Sequence, residues 1–263
     1  MYRIGQSQIQ RLRRLLSSSR EDVALFKSLA PVYDFIYTVD YDYSQQFNSV
    51  RAASPTTASR VLEIGCGGGH LLQYLESTFE FVIGIDESRD MIEITSERVN
   101  EAHVAVGDAT AIPFDVSFDV IVMFGPVISQ ITADRRLSSV FEQCVEQLSP
   151  SGAIIFNYHN ATKLEDGRES THQYVHSPFT VTQVESTNVI DGDENIYEYR
   201  VQFEIDDAET GCTRVVEDQL QLRMYEPQSI EKRLRNCGFE AIEHDGDNLI
   251  TTTAYRSAPK RSV

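Results

Sequence analysis

The run Val61-Leu62-Glu63-Ile64-Gly65-Cys66-Gly67-Gly68-Gly69-His70 constrains the chain more than any other stretch. Val61 to Ile64 reads as a short buried strand, the glycines break it, and Leu71, Leu72 and Leu75 then recur at helical spacing. Strand, glycine turn and helix in that order predict an α/β fold. Glycines at 65, 67, 68 and 69 can reach positive φ and place no Cβ between the main chain and a ligand. Something bulky can therefore lie against the N–H groups that open the helix, and a nucleotide-like cofactor suits that turn.

Two departures narrow the cofactor. A dinucleotide fingerprint beginning at Gly65 needs a third glycine at position 70, where the chain has His70. No Gly-Lys-Ser/Thr follows the glycines, which excludes a P-loop. Glu63, at the carboxyl end of the strand, faces the crevice where open α/β sheets bind ligands. A carboxylate there suits a cation and repels a pyrophosphate.

V-L-E-I-G-C-G-G-G resembles the first motif of class I S-adenosylmethionine-dependent methyltransferases, whose acidic residue helps hold the ammonium of the cofactor's methionine part. The resemblance implies that Glu63, Gly65, Cys66, Gly67 and Gly69 hold that part; Cys66 also reads as a small packing residue. Asp86 ends the apolar strand Phe81 to Ile85, 17 residues beyond Gly69, near the spacing of a ribose-binding carboxylate, with Glu87 beside it. The same residue could cap the helix that D-E-S-R-D-M begins. Met91 falls where this family sets an apolar residue on adenine, or else belongs to the core. Asp108 and Ala109, after the strand His103 to Val106, match the adenine-binding turn; otherwise Asp108 makes an Asx-turn. The strand Phe118 to Met123 leads to Phe124, whose neighbourhood in the family abuts the transferable methyl.

The substrate side is carried by fewer residues. A-P-V-Y-D-F-I-Y resembles the lid that precedes the glycine motif in small-molecule methyltransferases, which would set Tyr33 beside the methyl as a catalytic group and Tyr37 near the substrate. Related amino-sugar N-methyltransferases often carry a histidine after the fourth strand; the matching position is Gln130, which cannot act as a base. His159, at the carboxyl end of the strand beginning at Ala153, is then the candidate titratable group, and Tyr225 lies in L-R-M-Y-E-P, a further stretch of resemblance.

Beyond the motifs, Asp134 to Leu148 reads as an amphipathic helix and Pro31 as the end of a helix over Glu21 to Leu29. Segments 179–190, 195–206 and 213–224 alternate apolar and polar residues between hairpin turns, with Val181, Val184, Tyr197, Tyr199, Val201 and Phe203 expected on one covering face. The expected fold is a Rossmann-like, mostly parallel seven-stranded sheet with helices on both faces and an inserted antiparallel three-stranded sheet. Its division is an N-terminal helical lid (1–50), a cofactor-binding domain (51–160 and 225–257) and a substrate-cover sheet (161–224).

Charge enters where partners are considered. Forty acidic residues against 23 basic ones give −17, which argues against a nucleic-acid partner. Nineteen of the basic residues are arginine and 4 lysine, a balance that resembles adaptation to a high-salt cytoplasm. Arg3, Arg11, Arg13, Arg14 and Arg20 stand among Ile4, Ile9, Leu12, Leu15 and Leu16, a basic amphipathic helix that packs on the domain or on a second subunit, as in a homodimer. Cys66, Cys144, Cys212 and Cys237 lack paired spacing, so neither metal nor disulfide is signalled. No apolar run is long enough to span a bilayer, and residues 1–20 lack a signal-peptide centre, so a cytoplasmic protein is expected. The expected activity is methyl transfer to a nitrogen or oxygen of a small molecule. An RNA methyltransferase and a catalytically silent partner subunit are the alternatives.

Overall fold

The computed structural model describes residues 4–18, 24–163 and 165–257. Arg3, Arg20, residues 21–23 of the helix expected before Pro31 and the tail beyond 257 lie outside them.

The glycine-turn strand, β1 (Arg60–Ile64), lies at the centre of a seven-stranded sheet. On one side it pairs in parallel with β2 (Phe81–Asp86), which pairs with β3 (His103–Val106). On the other it pairs in parallel with β4 (Phe118–Met123), which pairs with β5 (Leu148–His159). The order therefore reverses between β1 and β4, opening a crevice at their carboxyl ends. These strands are almost wholly apolar because helices cover both faces. On one face α3 (Ser44–Ala53) and α4 (His70–Glu76) set Val50, Leu71, Leu72 and Leu75 against Val61, Val82, Val120 and Ile155. On the other α6 (Asp134–Gln147) and α7 (Pro227–Cys237) set Leu137, Phe141, Ile230 and Leu234 against Leu62, Ile121, Ile154 and Phe156. Each fully covered side chain contributes about 1.5–3 kcal/mol. Two antiparallel strands, β10 (Ala241–Asp245) and β11 (Leu249–Tyr255), complete the sheet beside β5.

The inserted sheet has four strands, not three: β6 (Arg168–His176), β7 (Phe179–Asp191), β8 (Ile196–Asp207) and β9 (Cys212–Arg223). β6 is an edge strand whose sequence, Arg-Glu-Ser-Thr-His-Gln-Tyr-Val-His, carries polar residues on both faces, so period-two alternation does not reveal it. The insertion leaves and rejoins the central sheet at one point, where Tyr225 N–H donates to His159 O (3.1 Å) and Ala161 N–H to Tyr225 O (3.1 Å). That anchor holds the four strands over the crevice.

Two further helices close the space between the sheets. α1 (Gln6–Leu16) and α2 (Ala30–Asp40) pack Leu12, Leu15, Val32, Phe35 and Ile36 against Phe179, Val181, Phe203 and Ile205, a second core separate from the first. Pro31 lies in the first turn of α2 and residues 25–29 form turns, contrary to the helix expected there. A proline has no N–H to lose in the first helical turn, and its φ is already helical. Val184 is 43% exposed on the outer face. It stands an odd number of residues from Val181, and a strand sends odd-spaced side chains to opposite sides.

Candidate active site

The glycine turn shapes one wall of the crevice. Gly69 caps α4 at φ 78°, and a Cβ there would come within 2.5 Å of Thr95 Cγ2. Gly67, at φ 50°, has nothing within 4 Å of where a Cβ would stand, an open cradle along the main chain. Gly67 N–H donates to Asp86 Oδ2 (3.0 Å) and Ser88 N–H to Asp86 Oδ1 (2.8 Å), locking that carboxylate at the end of β2.

Glu63 is buried beside this turn, and its Oε2 has no hydrogen-bond partner among the described residues. Burial first, and then the charge of Asp86, push its carboxyl well above the usual range. An unpartnered buried carboxylate is costly, and a cation supplied from outside relieves it. It faces a cavity of about 510 Å³ between the central sheet and the inserted one, lined by Gly65, Cys66, Gly67 and Phe124 on the cofactor side. Tyr33, Tyr37 and His159 stand on the other side of the same cavity. These residues fit a cationic cofactor laid along a glycine turn.

The other sequence-predicted residues divide. Asp108 makes the Asx-turn, accepting from Thr110 N–H and Oγ (each 2.8 Å), and is half exposed. Arg136 of α6 reaches across to Asp108 (3.4 Å) and to Glu87, so one cation spans the ends of β2 and β3. Met91 and Ile94 of α5 (Arg89–Arg98) are buried with Ala30 beneath Tyr33 and Phe26, and Ala109 is buried in the core that packs Phe118. Gln130 is exposed, and Ser129, buried with its Oγ unpartnered, lines the cavity in its place. Tyr225 does not reach the cavity: it is buried against Tyr158, its hydroxyl donates to Ile131 O, and Arg223 lies over its ring. The pattern of a loop after a strand does not show which of two neighbours turns inward, and an aromatic residue can serve core or cavity equally.

Residues to which the sequence reading gave no role stand around the site. Asp34 of α2 is buried and takes hydrogen bonds from Gln8 Nε2 (2.8 Å), His70 Nε2 (3.1 Å) and Arg98 Nη1 (2.7 Å), while Arg98 also donates to Gly68 O. The residue that replaces the third glycine thus ties α2 to the turn, and its ring stacks on Tyr43 at 4.9 Å. Burial lowers the His70 pKa, leaving a neutral ring donor. A sequence signal existed: Asp34 is a charge set between Val32, Phe35 and Ile36 on an apolar helix. Asn157, buried with its Oδ1 unpartnered, and Glu185 of β7 also line the cavity.

A crevice at the β1/β4 reversal, a glycine turn and acidic strand ends define the class I methyltransferase architecture. Comparison with known proteins agrees: a family model described as a methyltransferase domain matches residues 61–152. A Geobacillus sp. (strain WCH70) protein bearing a methyltransferase name is 22% identical over 242 residues, 84% of this chain and 92% of that one. The dTDP-3-amino-3,4,6-trideoxy-alpha-D-glucopyranose N,N-dimethyltransferase of Streptomyces venezuelae is 26% identical over 131 residues, 48% of this chain and 55% of that one. The S-adenosylmethionine-bound amino pentose methyltransferase CalS10 of Micromonospora echinaspora shares the fold, with a TM-score of 0.73 at 16% identity over 98% of this chain and 100% of that one. The chain carries a methyltransferase domain over residues 61–152 and shares the fold of S-adenosylmethionine-dependent methyltransferases.

Proposed function

We propose that the chain transfers a methyl group to a nitrogen or oxygen of a small molecule bound between the glycine turn and the inserted sheet. The observation that carries this reading is the buried, unpartnered Glu63 carboxylate facing the cavity between the two sheets. Glu63 would hold the methionine ammonium, with Gly65, Cys66, Gly67, Gly69 and Phe124 along the rest of that part; Asp86 and Glu87 would hold the ribose, and Asp108, Ala109 and Met91 the adenine end. When bound, S-adenosylmethionine supplies a sulfonium methyl for in-line displacement. The protein's task is alignment and exclusion of water, which can offset about 7–11 kcal/mol of barrier.

Tyr33 and Tyr37 stack at 4.3 Å, and burial raises both hydroxyls, so they act as protonated donors and as walls. Burial and then the charge of Arg168 lower the His159 pKa, so its imidazole is neutral near pH 7 and can accept a proton from an acceptor group. Residues 1–50 would serve as lid, 51–160 with 225–257 as cofactor domain and 161–224 as substrate cover. The sugar methyltransferases among the similar proteins support a small polar acceptor of that size. The ion pairs of Arg11 with Glu97 and of Arg13 with Asp207 and Glu209 weigh against RNA, because they bind that part of the basic helix to the protein itself. No helix among the described residues is long and apolar enough to cross a membrane.

Calorimetric titration with S-adenosylmethionine and S-adenosylhomocysteine, followed by turnover with a panel of amino and hydroxy sugars, tests the reading. Binding of neither compound would refute it. Binding of both without turnover on any small molecule would favour the silent partner subunit.

A further inference from the structure

One carboxylate in the cavity has no part in holding the cofactor as proposed. Glu185 stands on the inner face of β7, in line with Phe179 and Val181, which are core. Its Oε2 accepts from Tyr199 OH (2.7 Å) and Gln183 Nε2 (3.0 Å), and its Oε1 from Ser170 Oγ (2.6 Å). Three neutral donors fix the group in place without neutralising it. Among the described residues its one ion-pair partner within 4.0 Å is His172, at 3.9 Å. Arg168 lies along the same strand pair, opposite Thr187, and makes no ion pair with Glu185 within that limit. Two buried carboxylates, Asp34 and Asp207, are matched by Arg98 and Arg13, whereas Glu63, across the same cavity, is the one assigned above to the cofactor's ammonium.

The surroundings are aromatic. Glu185 lines both the main cavity and an adjoining one of about 240 Å³, and Tyr33, Tyr37, Tyr41 and Tyr199 line both with it. Faces of tyrosine rings around a fixed carboxylate favour a cation bearing apolar carbon, since the ring quadrupole and the charge attract it together and each methyl or methylene gains contact. We propose that Glu185 and these tyrosines form the acceptor subsite, which takes an alkylammonium group, so that the methyl acceptor is an amine rather than a hydroxyl. This rests on the methyl-transfer reading for its role, though not for its detection. Neutral His159, in the same cavity, is placed to take the proton an amine must lose before it can react. Edge strand β6 supplies Ser170, and β8 supplies Tyr199, so the inserted sheet selects the substrate as well as covering it.

The test uses three six-membered rings, cyclohexylammonium, cyclohexanol and cyclohexanecarboxylate, titrated into protein saturated with S-adenosylhomocysteine. The cation should bind at least ten-fold more tightly than the alcohol, the factor expected for a hydrogen bond to a charged group. Glu185→Gln should reduce that preference to about two-fold or less while leaving S-adenosylhomocysteine affinity unchanged. Equal affinities for cation and alcohol in the native protein, or a preference that survives the substitution, would overturn the proposal. Should Glu185→Gln weaken S-adenosylmethionine but not S-adenosylhomocysteine, the carboxylate serves the sulfonium and the proposal falls. Binding of neither compound refutes the methyl-transfer reading separately. The ring titrations on Glu63→Gln then still decide Glu185, because the buried carboxyl across the cavity is gone. If Glu185→Gln does not fold, Glu185→Asp keeps the charge and withdraws it by one methylene; the cation alone should lose affinity, and equal losses for cation and alcohol would overturn the subsite.

Discussion

Glu63 is a buried carboxylate held at a cost. Its pKa is raised, so the sign is that of a group favouring protonation: its contribution to stability is full below the unfolded value and is lost as pH rises through the folded one. Glu63→Gln should therefore raise the thermal midpoint at pH 7 and weaken S-adenosylmethionine by roughly 1.5–3 kcal/mol. Binding of the cofactor's cation should also release a proton as the carboxyl ionises, seen as a dependence of calorimetric heat on the buffer's ionisation heat. A binding heat independent of buffer in the native protein would remove Glu63 from the ammonium site. Asp86 is held by two main-chain N–H groups, so Asp86→Ala loses the brace on Gly67 as well as the ligand contact. Cofactor affinity should fall by roughly 1.5–3 kcal/mol with the fold retained, and an unchanged dissociation constant would leave Asp86 as a brace for the turn. These carboxylates were legible because a glycine turn and strand ends put them at known offsets. The inward turn of Ser129 rather than Gln130 was not, because no period governs an irregular loop.

At the scale of elements, α1, α2 and the inserted sheet form one layer with its own core, tied to the glycine turn through Asp34. Partners at 3.1 Å and 2.7 Å lower the Asp34 pKa against the effect of its burial. Asp34→Ala leaves Arg98 without its buried partner, and such a break costs about 3–5 kcal/mol. Amide exchange in α1 and α2 should quicken while β1, β2 and β4 stay protected. Uniform loss of protection across both layers would show that the lid is not a separable unit. The amphipathic pattern predicted α1 and the alternation predicted β7 to β9. Where α2 begins and that β6 exists depended on partners that local periodicity does not contain.

The whole molecule carries −17, yet Arg11 and Arg13 hold the N-terminal helix to Glu97, Asp207 and Glu209. Screening falls from about 10 Å at 0.1 M salt to about 3 Å at 1 M, so the repulsion among 40 acidic residues should weaken with added salt. The thermal midpoint should rise from dilute buffer to molar chloride, and a flat dependence would discard the high-salt reading. Light scattering across the same series would show whether the chain pairs with a second copy. The sequence by itself determined the α/β class, the mostly parallel seven-stranded sheet and the glycine turn at its centre, since glycine turns, apolar runs and their spacing are local properties. Only the tertiary structure decided the far wall of the cavity. Glu185, Ser129 and Asn157 come from distant segments, and their meeting with the tyrosines of α2 depends on a second core that no short window of residues encodes.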